Sequence, residues 1–270
     1  MRSTGLVLFL KTMRARALPR IIGHREPIRV LLDIGLPLLG TFAMVFVYRG
    51  LHAPPRFVGF VVLGGAMLAF WQNVLWMMAI QWNWDRGNGN LELYVMSPAS
   101  LAAVLLGMAV GGMYMTGIRA GLILLLGSVA FGVVYHVSSL LPALGMFFLT
   151  LAALYCLGMM LASLFLFYGR EAWHLGNALQ EPVYFLGGFY FPVRALGAYV
   201  AGAASVLPLT LGLDGVRQLL IPGWFALLPP GAEAALVAIQ VAVYALASQL
   251  ALRYMESRAR RDARLIARQA

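Results

Sequence analysis

Long runs without a charged residue divide this 270-residue chain. Phe57 to Trp82 carries no Asp, Glu, Lys or Arg, and neither does Ala120 to Gly169 or Ala234 to Leu252. A helix that crosses a bilayer needs about 20 predominantly apolar residues, so each of these runs is long enough to span. The pattern predicts an all-α integral membrane protein. Its six transmembrane segments are expected at 30–48, 57–82, 111–134, 140–168, 173–188 and 234–252. Asp33 and Pro37 fall in the first turns of the first span, and Arg49, His52, Pro54, Pro55 and Arg56 make the short loop after it. The Tyr135–Ser139 stretch separates spans three and four, and Arg170–Glu171 turns the chain between spans four and five.

Three segments break the pattern. In residues 1–29, Leu6, Phe9, Leu10, Met13 and Ala17 recur at helical spacing with Lys11, Arg14 and Arg16 between them. That fits a helix lying in the headgroup plane, ended by Pro19 and the Gly23–His24 step. A cleavable leader is not expected, because the apolar stretch is short and runs straight into the basic residues. Residues 189–233 are apolar but interrupted by Pro192, Pro208, Pro222, Pro229, Pro230 and several glycines. They read as short helices dipping into the outer leaflet, a shape tolerated where protein covers the backbone. The third is the polar segment 83–110, between spans two and three.

Composition agrees with the pattern. The chain is 61% hydrophobic and 11% charged, against roughly 25% charged in ordinary soluble domains. Its net charge of +10 sits at the flanks: Arg2 to Arg29 precede the first span, and Arg253 to Arg268 follow the last. Basic residues beside spans face the cytoplasm and attract anionic membrane lipids, so both termini are expected inside. Apart from Tyr254 the C-terminal arginines lack interleaved aromatics, so nucleic acid is not expected as a partner. Cys156, the single cysteine, reads as a small buried hydrophobe. The histidines are scattered, without metal-ligand spacing.

Within 83–110 the order of residues is specific. Gly87-Asn88-Gly89-Asn90 reads as a turn, with Asn90 placed to cap a helix. Leu91, Tyr94, Val95 and Pro98 then share one helical face, and Ser97-Pro98 is a second helix start. The result is a short amphipathic helix between two spans, which either caps the bundle or docks a cytoplasmic partner.

The sequence "DRGNGNLELYVMSPAS", followed by "LLGMAVGGMY", resembles the Glu-Arg-x-x-Gly-Thr-Leu-Glu-x-Leu-x-x-Ser-Pro pattern of ABC-2-type exporter permeases. Asp85 and Asn90 stand where that pattern has Glu and Thr. A second stretch, "FLGGFYFPVRALGAYVAGAASVLPLTLGLDGVRQLL", resembles the C-terminal signature of the same family. The resemblance covers nearly the whole chain. It implies the six-span ABC-2 (type V exporter) fold, with an N-terminal interfacial helix, a cytoplasmic coupling helix and short re-entrant outer helices before the last span.

It also implies a permease of the drug and lipid exporter branch in a bacterial or archaeal cytoplasmic membrane. Such a permease pairs with a second copy or a related permease and with two copies of a separate ABC ATPase. The cargo would be a hydrophobic drug, a lipid or a lipid-linked glycan. No phosphate-binding Gly-x-x-x-x-Gly-Lys-Ser/Thr loop occurs here, and Lys11 is the sole lysine. The chain is therefore expected to be non-catalytic and to hold no cofactor, with ATP and Mg on the partner ATPase.

By this resemblance Leu91, Glu92, Tyr94, Val95, Met96 and Ser97 would contact the ATPase. Glu92 would pair with a basic residue of that subunit; near a helix N-terminus a solvated glutamate is equally well explained. Arg119 and Glu181 are the ionisable residues inside spans, where charge is costly and faces protein or water. They would line the route or pair with each other, unless Arg119 snorkels to the headgroups. Tyr184 and Phe185 would meet a lipid-like substrate. Asp214 and Arg217, three apart on a predicted outer helix, would bridge each other or gate the external mouth. Gly107-x-x-x-Gly111 and Gly117-x-x-x-Gly121 would allow close helix approach. Two other classes are weighed against export: a membrane enzyme, which needs convergent catalytic groups, and a channel or secondary transporter, which needs no ATPase.

Overall fold

A computed structural model describes residues 2–22, 27–90, 93–94, 100–168 and 171–261. The described residues form α-helices and short turns, with no strand among them. In chain order the helices are α1 (Arg2–Ile22), α2 (Pro27–Gly50), α3 (Arg56–Val74), α4 (Gln81–Gly87) and α5 (Leu101–Phe131). They continue with α6 (Leu140–Tyr168), α7 (Ala172–Leu186), α8 (Ala198–Ala204), α9 (Pro208–Leu220) and α10 (Pro230–Arg261).

Among the described residues, four helical segments are long and apolar enough to cross a bilayer: Arg56–Ala79, Leu101–Phe131, Leu140–Phe165 and Pro230–Met255. A fifth results if α8 and α9, which meet at 107°, count as one broken span. The expected first span is the apolar stretch Ile34–Gly50 of α2. The expected fifth, α7, has 15 residues; at 1.5 Å per residue it reaches about 22 Å, short of a ~30 Å hydrocarbon core. Span three starts earlier than its sequence pattern suggested. Ser100 caps α5 through its hydroxyl, which accepts from Ala103 N at 3.2 Å, and one continuous helix then runs to Phe131.

The centre of the bundle is α3. Its spanning window is 94% buried, against 17% for that of α10, so α3 is enclosed by protein while most of α10 is left for lipid. Phe60, Phe70 and Trp71 are fully buried along it. After Val74 the helix widens into a π turn, Leu75–Ala79, where Ile80 N donates to the Leu75 carbonyl at 3.0 Å. Such turns rotate side chains and loosen the carbonyl ladder.

Contacts at two glycines seat α1 on α5. A Cβ at Gly107 would strike the Met13 carbonyl and Arg16 Cβ, and one at Gly111 the Ala17 carbonyl and Arg20 Cβ. Successive turns of α1 thus meet successive turns of α5, and the two run in the same direction. The basic N-terminal helix is docked along α5. By contrast a Cβ at Gly117 or Gly121 meets nothing within 4 Å.

At the opposite end α9 is wedged between α3, α6 and α10, with Pro208 to Arg217 all buried. The break between α8 and α9 leaves carbonyls without helical donors. Gln240 Nε2 on α10 supplies them, donating to Ser205 O at 2.7 Å and Val206 O at 3.2 Å, and the Tyr244 hydroxyl donates to Val206 O as well. Irregular backbone is here covered and satisfied by protein, as a hydrocarbon setting demands.

Candidate coupling site and inner cavity

The polar segment after α3 is held by one buried acid. Asp85 on α4 is 2% exposed and takes Arg16 NH2 of α1 at 2.6 Å, the single ion pair formed among the described residues. Its second oxygen accepts from Gln81 Nε2, one helical turn earlier, at 3.1 Å. Tyr94 completes the cluster: the Arg16 guanidinium lies 5.3 Å from its ring centroid, and its hydroxyl bonds the Asp85 carboxylate. Burial first, and then the Asp85 charge, push the Tyr94 phenol above its ordinary range. Gly89, at φ +76°, makes the turn between α4 and Tyr94, a backbone shape that glycine adopts without strain.

Of the residues expected to contact an ATPase, Tyr94 is therefore fixed against α1 and α4, half-buried. Leu91, Glu92, Val95, Met96 and Ser97 lie outside the described residues. Neither Arg16 nor Asp85 stood out as a site in the sequence. The readable signal is an acid early in the polar insert, in a chain rich in arginine.

Beside this cluster is a cavity of about 480 Å³ between α1, α3 and α5. Arg16 and Arg20 come to it from α1, Gln72 and Asn73 from α3, and Thr116 and Arg119 from α5. Arg20 NH2 donates to Met77 O within the π turn at 2.5 Å, so a carbonyl of the widened helix binds the α1 cation. Burial, and then the neighbouring Arg16 charge, lower Arg20 to about 10. Asn73 is held by the Tyr155 hydroxyl, which donates to its Oδ1 at 3.1 Å, and is packed on Gly112.

The same stretch of α3 binds α7. Gln72 Nε2 donates to the Tyr184 hydroxyl at 2.9 Å, and Trp76 Nε1 to Gln180 Oε1 at 2.6 Å. Tyr184 thus stands at the flank of the cavity-lining segment, while Glu181 and Phe185 are exposed on other faces of α7. No ion pair joins Arg119 to Glu181: the first lines the cavity and the second faces outward. Gln72 and Asn73, a polar pair inside an uncharged run, are the signal of this wall in the sequence.

The expected bridge between Asp214 and Arg217 is not made. Asp214 accepts from Trp224 Nε1 at 2.9 Å and from Leu227 N at 2.7 Å, so it holds the loop before α10. Arg217 points the other way, donating to Gly188 O at 2.6 Å, Phe60 O at 2.9 Å and Phe189 O at 3.0 Å. Its guanidinium lies 3.4 Å from the Phe60 ring centroid. Residues three apart on a helix can meet, but here Asp214 takes up the loop before α10 and Arg217 the turn after α7. Gly64 makes room: a Cβ there would overlap the Phe189 carbonyl.

A family model for the ABC-2 type transporter matches residues 14–221. The chain belongs to the ABC-2 type transporter family. The matched region begins in α1 just before Arg16 and closes after α9, so the Asp85 cluster, the cavity and the Arg217 clamp all lie inside it. As an ABC-2 protein this chain is the membrane-spanning permease subunit of an ABC transporter, and the family works with an ABC ATPase. Its apolar helices make the permease a multi-pass membrane protein. A search of curated proteins finds no match.

Proposed function

We propose that this permease is an exporter subunit, moving a hydrophobic drug, lipid or lipid-linked glycan outward from the cytoplasmic membrane of a bacterium or archaeon. It works as a pair of permeases with two copies of a separate ATPase, which hold ATP and Mg. In this reading the chain makes six crossings with both termini inside, α8 and α9 re-enter the outer leaflet, and the stretch from Asn90 up to the α5 cap at Ser100 carries the surface that the ATPase grips.

The observation that carries the reading is the cluster of Arg16, Asp85 and Tyr94. A helix pushed from below must be tied to the bundle if its movement is to do work. Tyr94 and Asp85 meet Arg16 of α1, and α1 is keyed into Gly107 and Gly111 of α5. Displacement of the stretch before Ser100 therefore passes through α1 into α5 and its neighbour α3. Leu91, Val95, Met96, Ser97 and Glu92 supply the surface facing the ATPase, and Tyr184 and Phe185 face the cargo.

Replacing Leu91, Tyr94 and Val95 with Asp tests this in proteoliposomes that also contain the ATPase. Export per ATP hydrolysed is expected to fall at least about tenfold, the effect of losing ~1.4 kcal/mol of coupling. Normal export and unchanged co-purification of the ATPase would remove the basis for a lever here. Labelling of Glu92→Cys, in a chain whose Cys156 is replaced by Ala, with an impermeant maleimide is expected from the cytoplasmic side. Labelling from outside would reject the topology.

A further inference from the structure

We propose that the pocket framed by the end of α2, the start of α3 and the end of α5 binds a phosphate-bearing anion, held by Arg49 and Arg56. This pocket lies at the other end of α3 from the Asp85 cluster. The inference concerns binding alone, so it stands whatever the permease exports.

The pocket has a volume of about 540 Å³. Its floor is apolar: Val58 and Ile221, both buried, with Val133 and Pro222 beside them. Its rim is cationic, with Arg49 from the last turn of α2 and Arg56 from the first turn of α3, and no carboxylate lines it. The one ion pair among the described residues joins Arg16 to Asp85, so neither rim arginine is paired with a described acid. Protein groups set each guanidinium in place while taking little of its hydrogen-bonding capacity. Arg49 donates to Phe131 O at 3.3 Å and lies 4.9 Å from the Phe131 ring centroid. Arg56 donates to Gly223 O at 3.2 Å and lies 4.3 Å from the Phe225 ring centroid. The Phe131 carbonyl, at the negative end of α5, offsets part of the Arg49 charge. A guanidinium carries five N–H donors, however, so most of them are left to a ligand or to solvent. Arg56 Nε in particular is buried without a hydrogen-bond partner.

Guanidinium groups match the oxygens of phosphate through paired, charge-assisted hydrogen bonds. A tetrahedral group with several oxygens meets arginines arriving from two helices better than a planar carboxylate does. The long apolar segment of α3 begins at Arg56, so both arginines stand where hydrocarbon gives way to headgroups. Val134, 86% exposed, borders the pocket and gives a ligand an edge by which to enter. The division of the lining suits an amphiphile, with phosphate at the arginines and the glycerol and first methylenes on the Val58 and Ile221 floor. Two sources carry the phosphate chemistry: the headgroup of an anionic phospholipid, which basic pockets between membrane helices hold, and free phosphate or a soluble phosphate ester, which would leave the apolar floor unused.

The test uses the purified full chain in detergent, without ATPase, and native mass spectrometry of retained lipid. Phosphatidylglycerol is the probe and diacylglycerol the phosphate-free control. Wild-type protein is expected to retain phosphatidylglycerol over diacylglycerol. Arg56→Gln should weaken retention about tenfold, as expected for a charge-assisted contact, and Arg56→Lys should recover part of it. Val134→Glu, at an exposed position on the rim, should weaken it about threefold by repulsion, while Val134→Lys should not weaken it. Arg194→Gln and Tyr199→Glu, both exposed and outside the pocket, are the matched controls and should change nothing. Retention that survives millimolar inorganic phosphate identifies a lipid headgroup, and retention that inorganic phosphate competes away identifies a site open to soluble phosphate; both support the assignment. Equal retention of diacylglycerol would overturn it. So would effects of Arg56→Gln and Val134→Glu no larger than those of their controls, in variants that melt as wild type does. Should Arg56→Gln fail to fold, the two Val134 variants and the diacylglycerol comparison decide the outcome in the same way. Because ATP and export are absent from the assay, its failure leaves the transport reading untouched.

Discussion

Replacing Asp85 with Ala removes the acceptor of Arg16, Gln81 and Tyr94 together, and it exposes how firmly α1 and the polar insert are joined. The Asp85 side chain is 3% exposed and that of Arg16 27% exposed. A fully buried pair broken from one side costs about 3–5 kcal/mol, whereas an exposed pair contributes about 0–1 kcal/mol. With one partner buried and the other partly wet, a loss of about 2 kcal/mol in the local stability of α1 is expected. Hydrogen exchange reads this directly. If α1 amides exchange by local opening, ~2 kcal/mol corresponds to roughly 30-fold faster exchange, largest around Arg14–Leu18, while α6 and α10 keep their protection. Arg16→Ala should produce a similar change, and the double variant should add little to either single one, because the shared interaction can be lost once. If α1 exchange in Asp85→Ala stays within about threefold of wild type, or the two single effects simply add, the pair is a crystal-like surface contact in energetic terms and not a joint.

The α1–α5 seam gives a second prediction. Gly111→Leu should drive the Ala17 carbonyl and Arg20 Cβ away, costing about 1–3 kcal/mol as overpacking does, and should speed tryptic cleavage at Lys11 and Arg14. Gly121→Leu, whose Cβ meets nothing within 4 Å, should be cleaved as wild type is; identical rates for the two variants would reject the seam. At the other end, Arg217→Ala leaves the Gly188 and Phe189 carbonyls without their side-chain donor. Each buried unsatisfied group costs about 1–3 kcal/mol, so thermal unfolding should begin at a clearly lower temperature than in Arg194→Ala, where the donor is exposed. Equal melting of the two variants would show that the outer turn holds itself.

Much of this architecture was legible in the chain because lipid imposes a simple rule. Backbone groups in hydrocarbon must be satisfied within the segment, so uncharged runs of sufficient length become helices. The runs at 57–82, 140–168 and 234–252 each correspond to a long apolar helix. The two resemblance stretches led to the family that the match over residues 14–221 establishes. The third span starts at Leu101 and not at Gly111, because Ser100, directly after the polar insert, caps one continuous helix that includes Leu101–Val110. The π turn at Leu75–Ala79 left no local signature, since hydrophobic pattern does not separate i→i+4 from i→i+5 bonding.

The site residues divide along the same line. Sequence alone determined that this is a polytopic helical membrane protein with a polar elbow after its second apolar run, because those properties follow from composition and order along the chain. Tertiary structure decided which charges meet. Arg16 finds Asp85, 69 residues away, since its own helix carries no acid. Asp214 and Arg217, three residues apart, turn from each other toward carbonyls and amides that broken helices leave open. A charge in a low-dielectric interior is worth most to whichever unsatisfied group lies within hydrogen-bond reach, and that reach is set by how helices pack, not by how far apart two residues stand in the chain.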